Sequence, residues 1–162
     1  MSFFGFIAKA PKRTAATGLA LSVGIIAGFE GLETKPYYDI GGVLTYCYGE
    51  TKGAVINAEY TPEQCLTLLE NRVTEFNTAL NEMVTVKMPP KREAALTSWL
   101  YNVGIGAGQR STLVRKLNAG DTKGACYELD RWIYVGGMAI KGLSNRRKVE
   151  KEMCLDGLVE ET

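Results

Sequence analysis

The sequence predicts an α+β fold, a small β-hairpin lobe joined by a long helix to a larger helical lobe, and three features carry that prediction. Between residues 30 and 60 the glycines Gly31, Gly41, Gly42, Gly49 and Gly53 cut the chain into short pieces. One piece, VLTYCY at 43–48, has β-type composition. Next, Thr61, Pro62 and Gln64 read as a helix N-cap, a first-turn proline and the partner that closes a capping box. After Pro90 the apolar residues recur at helical spacing.

Taken in order, the chain starts with Lys9, Lys12 and Arg13 ahead of an uncharged stretch, TAATGLALSVGIIAGF at 14–29. Basic residues followed by an apolar run have the order of a secretory signal or signal anchor. As a helix the run is about 24 Å long, against a hydrocarbon core of roughly 30 Å. Gly18, Gly24 and Gly28 dilute its apolar area further, so its hold on a bilayer is marginal and it can leave again. The same run also reads as a buried core helix, because Leu19, Val23, Ile26 and Glu30 fall on one helical face. The two readings are compatible in succession, an anchor first and a core helix later.

This divides the chain into 1–29, the basic segment and anchor helix, and 30–157, the folded body, with a tail at 158–162. Within the body the β-lobe covers about 30–60, the connecting helix about 61–80 and the helical lobe about 81–157. The connecting helix carries the stripe Cys65, Leu68, Leu69, Arg72, Val73, Phe76 and Leu80. Ala95, Leu96, Trp99, Leu100 and Val103 form one later stripe, and Leu113, Val114 and Leu117 another. Gly120 ends that helix and Asp121 caps the next. A last helix at about 144–155 places Arg146, Arg147 and Glu150 at pairing distances along its surface.

Composition narrows the chemistry. A length of 162 residues suits one domain, and a net charge of +1, from 19 basic and 18 acidic residues, gives no reason to expect nucleic acid. Histidine is absent, which removes histidine triads and the commonest metal ligand and leaves carboxylates as the acid/base groups. Cys47, Cys65, Cys126 and Cys154 lack CxxC spacing, so they make two disulfides or four buried thiols, and export favours the disulfides. A local bridge from Cys47 to Cys65, with Cys126 and Cys154 tying two helices, is one of the pairings open to them.

Glu30 ends the apolar run beside Ile26 and Phe29, where desolvation favours its protonated form, while Asp39 sits in a glycine-bounded turn where ionisation is easy. Two acids in contrasting surroundings are what glycoside hydrolysis uses. Thr45, on the adjacent strand, is placed to hold a water with Asp39. Glu33 and Glu50 are rival acids, but glycine after Glu30, tyrosine before Asp39 and the spacing to Thr45 form a single pattern.

That pattern, FEGLETKPYYDIGGVLTYCYGET at 29–51, resembles the active-site segment of phage-type lysozymes, glycoside hydrolase family 24. WLYNVGIGAGQRSTLVRKLNAGD at 99–121 and RWIYVGGMAIKGLSNRRKVEKEMC at 131–154 are similar to the rest of that family, and to its signal-anchor-release endolysins above all. The resemblance implies a lysozyme-like fold with a cleft between the lobes. It implies Glu30 as general acid, Asp39 and Thr45 as the pair positioning water, and Asn102 and Gly104 as cleft lining. The activity implied is an inverting muramidase cutting peptidoglycan between N-acetylmuramic acid and N-acetylglucosamine, without metal or cofactor, as a monomer. It further implies export through the Sec machinery, tethering to the bacterial inner membrane on its periplasmic side, and release into the periplasm. A lytic transglycosylase and a noncatalytic wall-binding protein are the alternatives.

The chain departs from the family in the turn after Thr45, where Tyr48 and Glu50 stand and a histidine is often found. Trp99 and Trp132 fit core stripes better than sugar platforms. Arg146 and Arg147 are candidates to meet wall carboxylates, but pairing with Glu150 accounts for them.

Overall fold

The computed structural model describes residues 17–39 and 41–158. Lys9, Lys12, Arg13, residues 3–8 and the first residues of the uncharged run lie outside them.

Helix α1 (Gly18–Glu30) begins at Thr17, whose hydroxyl accepts the Ala20 N–H at 3.2 Å. It leads into the antiparallel strands β1 (Glu33–Tyr38) and β2 (Leu44–Cys47), with Tyr37 opposite Thr45. Helix α2 (Pro62–Met83) starts with the predicted capping box, Thr61 Oγ1 accepting from Gln64 N and Gln64 Oε1 accepting from Thr61 N. The helical lobe follows: α3 (Pro90–Val103), α4 (Ile105–Gln109), α5 (Thr112–Asn118), α6 (Thr122–Glu128) and α7 (Lys141–Asp156). A 3-10 turn at Leu129–Arg131 and a two-stranded ribbon, β3 (Tyr134–Val135) and β4 (Met138–Ala139), separate α6 from α7. The ribbon was not expected from composition. Its turn rests on Gly136 and Gly137, both at positive φ.

Apolar burial falls into three clusters. The largest fills the helical lobe, where Trp99, Leu96 and Leu100 of α3 meet Leu113, Leu117, Leu129 and Cys154. A second joins Ile26 of α1 to Leu69 and Val73 of α2, and a third joins Tyr46 and Cys47 of the hairpin to Cys65 of α2. Of the pairings left open by the sequence, the structure has Cys47 bonded to Cys65, hairpin to α2, and Cys126 to Cys154, α6 to α7.

Helix α1 packs against α2 and α3 with a face wider than the apolar spacing suggests, Ile26 belonging to the expected stripe and Gly18 and Ser22 lying beside it. Its buried residues are Gly18, Ser22 and Ile26, while Leu19 and Val23 are half-buried against the second cluster. The cause is close approach. Gly18 lies so near the Glu93 carboxylate that a side chain there would collide with it, and the Ser22 hydroxyl is satisfied within its own helix by Gly18 O at 2.7 Å. Small residues that make a weak membrane span thus make a good contact face for another helix. Among the described residues no helix is long and apolar enough to cross a membrane.

Candidate active site

Glu30 is the last residue of α1, and its side chain is 25% exposed. The apolar surroundings expected for it are not what it meets. Arg146 Nη1 of α7 donates to Glu30 Oε1 at 2.7 Å, and the Phe29 ring lies against the same guanidinium, 4.8 Å from ring centre to Cζ. The neighbour of Glu30 is therefore a cation, delivered from a helix 116 positions along the chain. The other oxygen, Oε2, points to the hairpin lobe, where a Cβ on Gly49 would stand 3.7 Å away. Gly49 is at φ 82°, so both its backbone shape and its missing side chain suit this approach.

Behind Glu30 lies a buried ionic network. Arg146 donates through Nε to Glu150 Oε1 at 3.1 Å and through Nη2 to Ser98 O at 3.0 Å. Ser98 Oγ donates to Glu150 Oε1 at 2.7 Å, and Arg147 Nη2 donates to the same oxygen at 3.2 Å. Arg147 Nε also approaches Glu150 Oε2 to 2.8 Å, an ion-pair contact in which the N–H direction misses the oxygen, so neither atom gains a hydrogen bond. Glu150 is fully buried, and burial pushes its carboxyl above the usual range against the pull of Arg147, Ser98 and Arg146. Burial also lowers Arg147 to about 10, with Glu150 opposing. The pairing of both arginines with Glu150 expected from spacing is present. The contact of Arg146 with Glu30 was missed.

Asp39 and Thr45 are brought together by the residue between the strands. Asp39 Oδ1 accepts the Val43 N–H at 2.8 Å, and Thr45 Oγ1 donates to Val43 O at 3.0 Å. Asp39 is exposed at the end of β1, whereas Thr45 is buried, 5% exposed, in β2. With its proton used on Val43, the Thr45 hydroxyl oxygen keeps its capacity as an acceptor, as does the Asp39 carboxylate. Of the rival acids, Glu33 is exposed at the start of β1. Glu50 serves the fold, its Oε1 taking the N–H groups of Thr51 and Lys52 at 2.8 and 2.9 Å while its backbone pairs with Tyr46 in both directions.

Asn102 is exposed near the end of α3, where its Oδ1 accepts from Arg147 Nη2 at 3.0 Å. Gly104 ends α3 at φ 91° with its N–H bonded to Leu100 O. Neither contacts Asp39 or Thr45 through a hydrogen bond. Trp99 is fully buried and braces the half-buried Trp132 edge-on at 5.4 Å, which gives both the core role preferred from sequence. A residue not singled out is Tyr101, packed between the clusters of the two lobes. Its phenol is pushed up to about 12, first by burial and then by Glu30 and Glu50, with Arg72 and Arg146 opposing.

A hairpin lobe joined by a long helix to a helical lobe, with an acid closing the first helix against the hairpin, is the architecture of a lysozyme-like glycoside hydrolase. The sequence profile described as phage lysozyme matches residues 27–150, and the chain belongs to that family of hydrolases. It is 46% identical over 131 residues to the SAR-endolysin of Bacteriophage PS119, covering 80% of this chain and 78% of the relative. The SAR-endolysin of Enterobacteria phage P21 is 45% identical over 131 residues, covering 80% and 79%. Among solved structures, the endolysin from Escherichia coli O157:H7 phage FAHEc1 superposes with a TM-score of 0.80 at 32% identity, covering 88% of this chain and 96% of its own.

Proposed function

We propose that the chain is a phage endolysin that hydrolyses the β-1,4 bond between N-acetylmuramic acid and N-acetylglucosamine in peptidoglycan, with Glu30 as general acid and Asp39 and Thr45 positioning the water. The observation that carries this reading is the division of labour around Val43 and Arg146. One acid is held at the end of α1, and a second acid and a hydroxyl are tied to one residue of the hairpin. With Oε1 engaged by Arg146, Oε2 is the oxygen left to carry the proton to the glycosidic oxygen. Arg146 then stabilises the carboxylate that remains. Asp39 and Thr45 orient a water for attack on the opposite face of the sugar, which gives inversion. Asn102 and Gly104, at the end of α3, border the sugar groove.

The activity is proposed to wait on export. Residues 1–29 serve as the basic segment and anchor helix of a Sec-exported chain tethered in the inner membrane, and 30–157 as the catalytic body, active as a monomer. The relatives' name, SAR-endolysin, and two disulfides that suit an oxidising compartment support this. While α1 lies in a bilayer it is not against α3, and Glu30 is not between Arg146 and Gly49. Release into the periplasm lets α1 dock and completes the site.

The test is product analysis on purified peptidoglycan. The wild-type chain is expected to release reducing N-acetylmuramic ends, and Glu30→Gln to lose activity by roughly a hundredfold or more while keeping its fold. Products ending in 1,6-anhydro rings identify a lytic transglycosylase instead. Undiminished hydrolysis by the variant moves the acid elsewhere.

A further inference from the structure

We propose that Glu93 is a positioning residue for the reaction: by seating Gly18, the first residue of α1, it fixes how far α1 lies along α3 and so where Glu30 stands at the other end. This rests on the reading of Glu30 as general acid.

Gly18, Ser22, Ile26 and Glu30 follow one another at intervals of four and make a single row along α1. The first three are buried, and the row runs about 18 Å, with Glu93 at one end and Arg146 at the other. Its first two members bring almost no apolar surface, so burial alone gives this end of α1 little preference for one position along α3 over the next. Shape supplies the preference. A Cβ on Gly18 would collide with Oε2 and Cδ of Glu93, and it would stand 2.9 Å from the Glu93 Cβ, an atom that no rotation of the side chain can move away. Gly18 is the one glycine of the row. Sliding α1 by one turn would bring Ser22 to Glu93, where its side chain has no room, and would carry Glu30 about 5.4 Å away from Arg146.

The Glu93 side chain is itself held in place. It springs from the first turn of α3, yet its carboxylate is turned to α2, where Asn77 Nδ2 and Asn81 Nδ2 both donate to Oε1, at 2.9 and 3.0 Å. Asn77 Nδ2 also donates to Thr97 Oγ1 at 3.1 Å, one turn further along α3. With Oε1 engaged by α2, Oε2 is left against α1. A carboxylate there suits the positive end of that helix, where the Gly18 and Leu19 N–H groups have no carbonyl partner in α1 itself. Three helices thus meet at one side chain. This seat shares no residue with the hairpin or with Asn102 and Gly104, so its loss should reach the acid and leave sugar binding alone.

The test is made in the full-length chain on soluble glycan strands, with kcat and KM read separately. Gly18→Ala is expected to lower kcat roughly tenfold with KM within about twofold of the wild type, although alanine is the better helix former. Gly24→Ala, the same change on the same helix where a Cβ meets nothing within 4 Å, is expected to keep the wild-type kcat. Glu93→Ala is expected to lower kcat as Gly18→Ala does. Glu93→Gln keeps the bulk against Gly18 and the acceptor for Asn77 and Asn81, and is expected to recover kcat to within about threefold of the wild type. Four outcomes overturn the proposal: a Gly18→Ala kcat equal to that of Gly24→Ala, a wild-type kcat in Glu93→Ala, a Glu93→Gln as slow as Glu93→Ala, or a loss carried in KM. The place of Glu30 is read without catalysis from the Arg146 guanidinium resonances, which are expected to move in Gly18→Ala and to stay in Gly24→Ala; resonances unmoved by Gly18→Ala overturn the proposal as well. If they move as expected while Glu30→Gln keeps its activity, the acid assignment falls and the role in catalysis with it, and Glu93 keeps only the placing of α1.

Discussion

The two halves of the site are built by opposite means. Glu30 depends on a buried ionic network whose members lie on α1, α3 and α7, and nothing local to its own sequence holds its carboxylate. Asp39, exposed after β1, and Thr45, buried in β2, depend on hydrogen bonds to Val43 between them, with one disulfide pinning the end of β2 to α2. Glu30 is thus fixed by tertiary structure and the Asp39 and Thr45 side chains by short-range structure. A disturbance in the helical lobe should reach Glu30 first, and a disturbance in the hairpin should reach Asp39 and Thr45 first.

The strongest way to break the comparison is Glu150→Gln. Removing that charge leaves Arg146 and Arg147 buried without a full counterion, and breaking a buried pair in this way costs about 3–5 kcal/mol. Urea unfolding is expected to show that loss. A change within about 1 kcal/mol, the worth of an exposed pair, means the network is not what holds the lobe.

Replacing Cys47 and Cys65 together by alanine tests the other half. The bridge closes a loop with a sequence separation of 18, so its loss is expected to cost about 3 kcal/mol in the chain-entropy model. The effect should be local: amide exchange at residues 44–47 quickens while that of α3 keeps its protection. Equal quickening in both places means the hairpin is held by the whole fold, and the distinction between the halves fails.

The same contrast decides what the sequence made legible. Glu30, Asp39 and Thr45 stand in one stretch with its glycines and strand, so their spacing could be read directly, as could the capping box at Thr61. The support of Glu30 could not, because it crosses from α1 to α7. A partial signal was present: Leu143, Arg147, Glu150 and Cys154 fall on one helical stripe, so two charges occupy positions that an amphipathic helix gives to its core. Charges in an interior stripe mark a buried pair, whereas the spacing alone suggested surface pairing. The packing face of α1 was read only in part for a related reason. Apolar spacing pointed to Leu19, Val23, Ile26 and Glu30, and Ile26 is buried as expected, but the face of closest approach also takes in Gly18 and Ser22, where small size matters more than hydrophobicity. The β3–β4 ribbon escaped because four strand residues around two glycines leave no periodicity to find.

The smallest expected effect lies where the halves meet. Tyr101 feels Glu30 and Arg146 on one side and Glu50 and Arg72 on the other, and its phenol stays protonated up to about 12 against a usual 10.0. Because the folded chain holds that proton more tightly than the unfolded chain, its contribution to stability is complete below pH 10.0 and is lost as pH rises from there through about 12. Tyr101→Phe cannot ionise, so it should lose less stability across that window than the wild type, while at neutral pH the two differ by about 1 kcal/mol or less. Comparing urea midpoints at about pH 8 and about pH 11 reads the difference directly. Parallel profiles would mean that the phenol ionises as freely in the folded chain as in the unfolded one. The junction would then be open to solvent, and Glu30 and Glu50 would not act on a common neighbour. A flattened profile shows that the folded chain holds the Tyr101 proton, by burial first and by Glu30 and Glu50 after it, at the junction of the tertiary half and the short-range half.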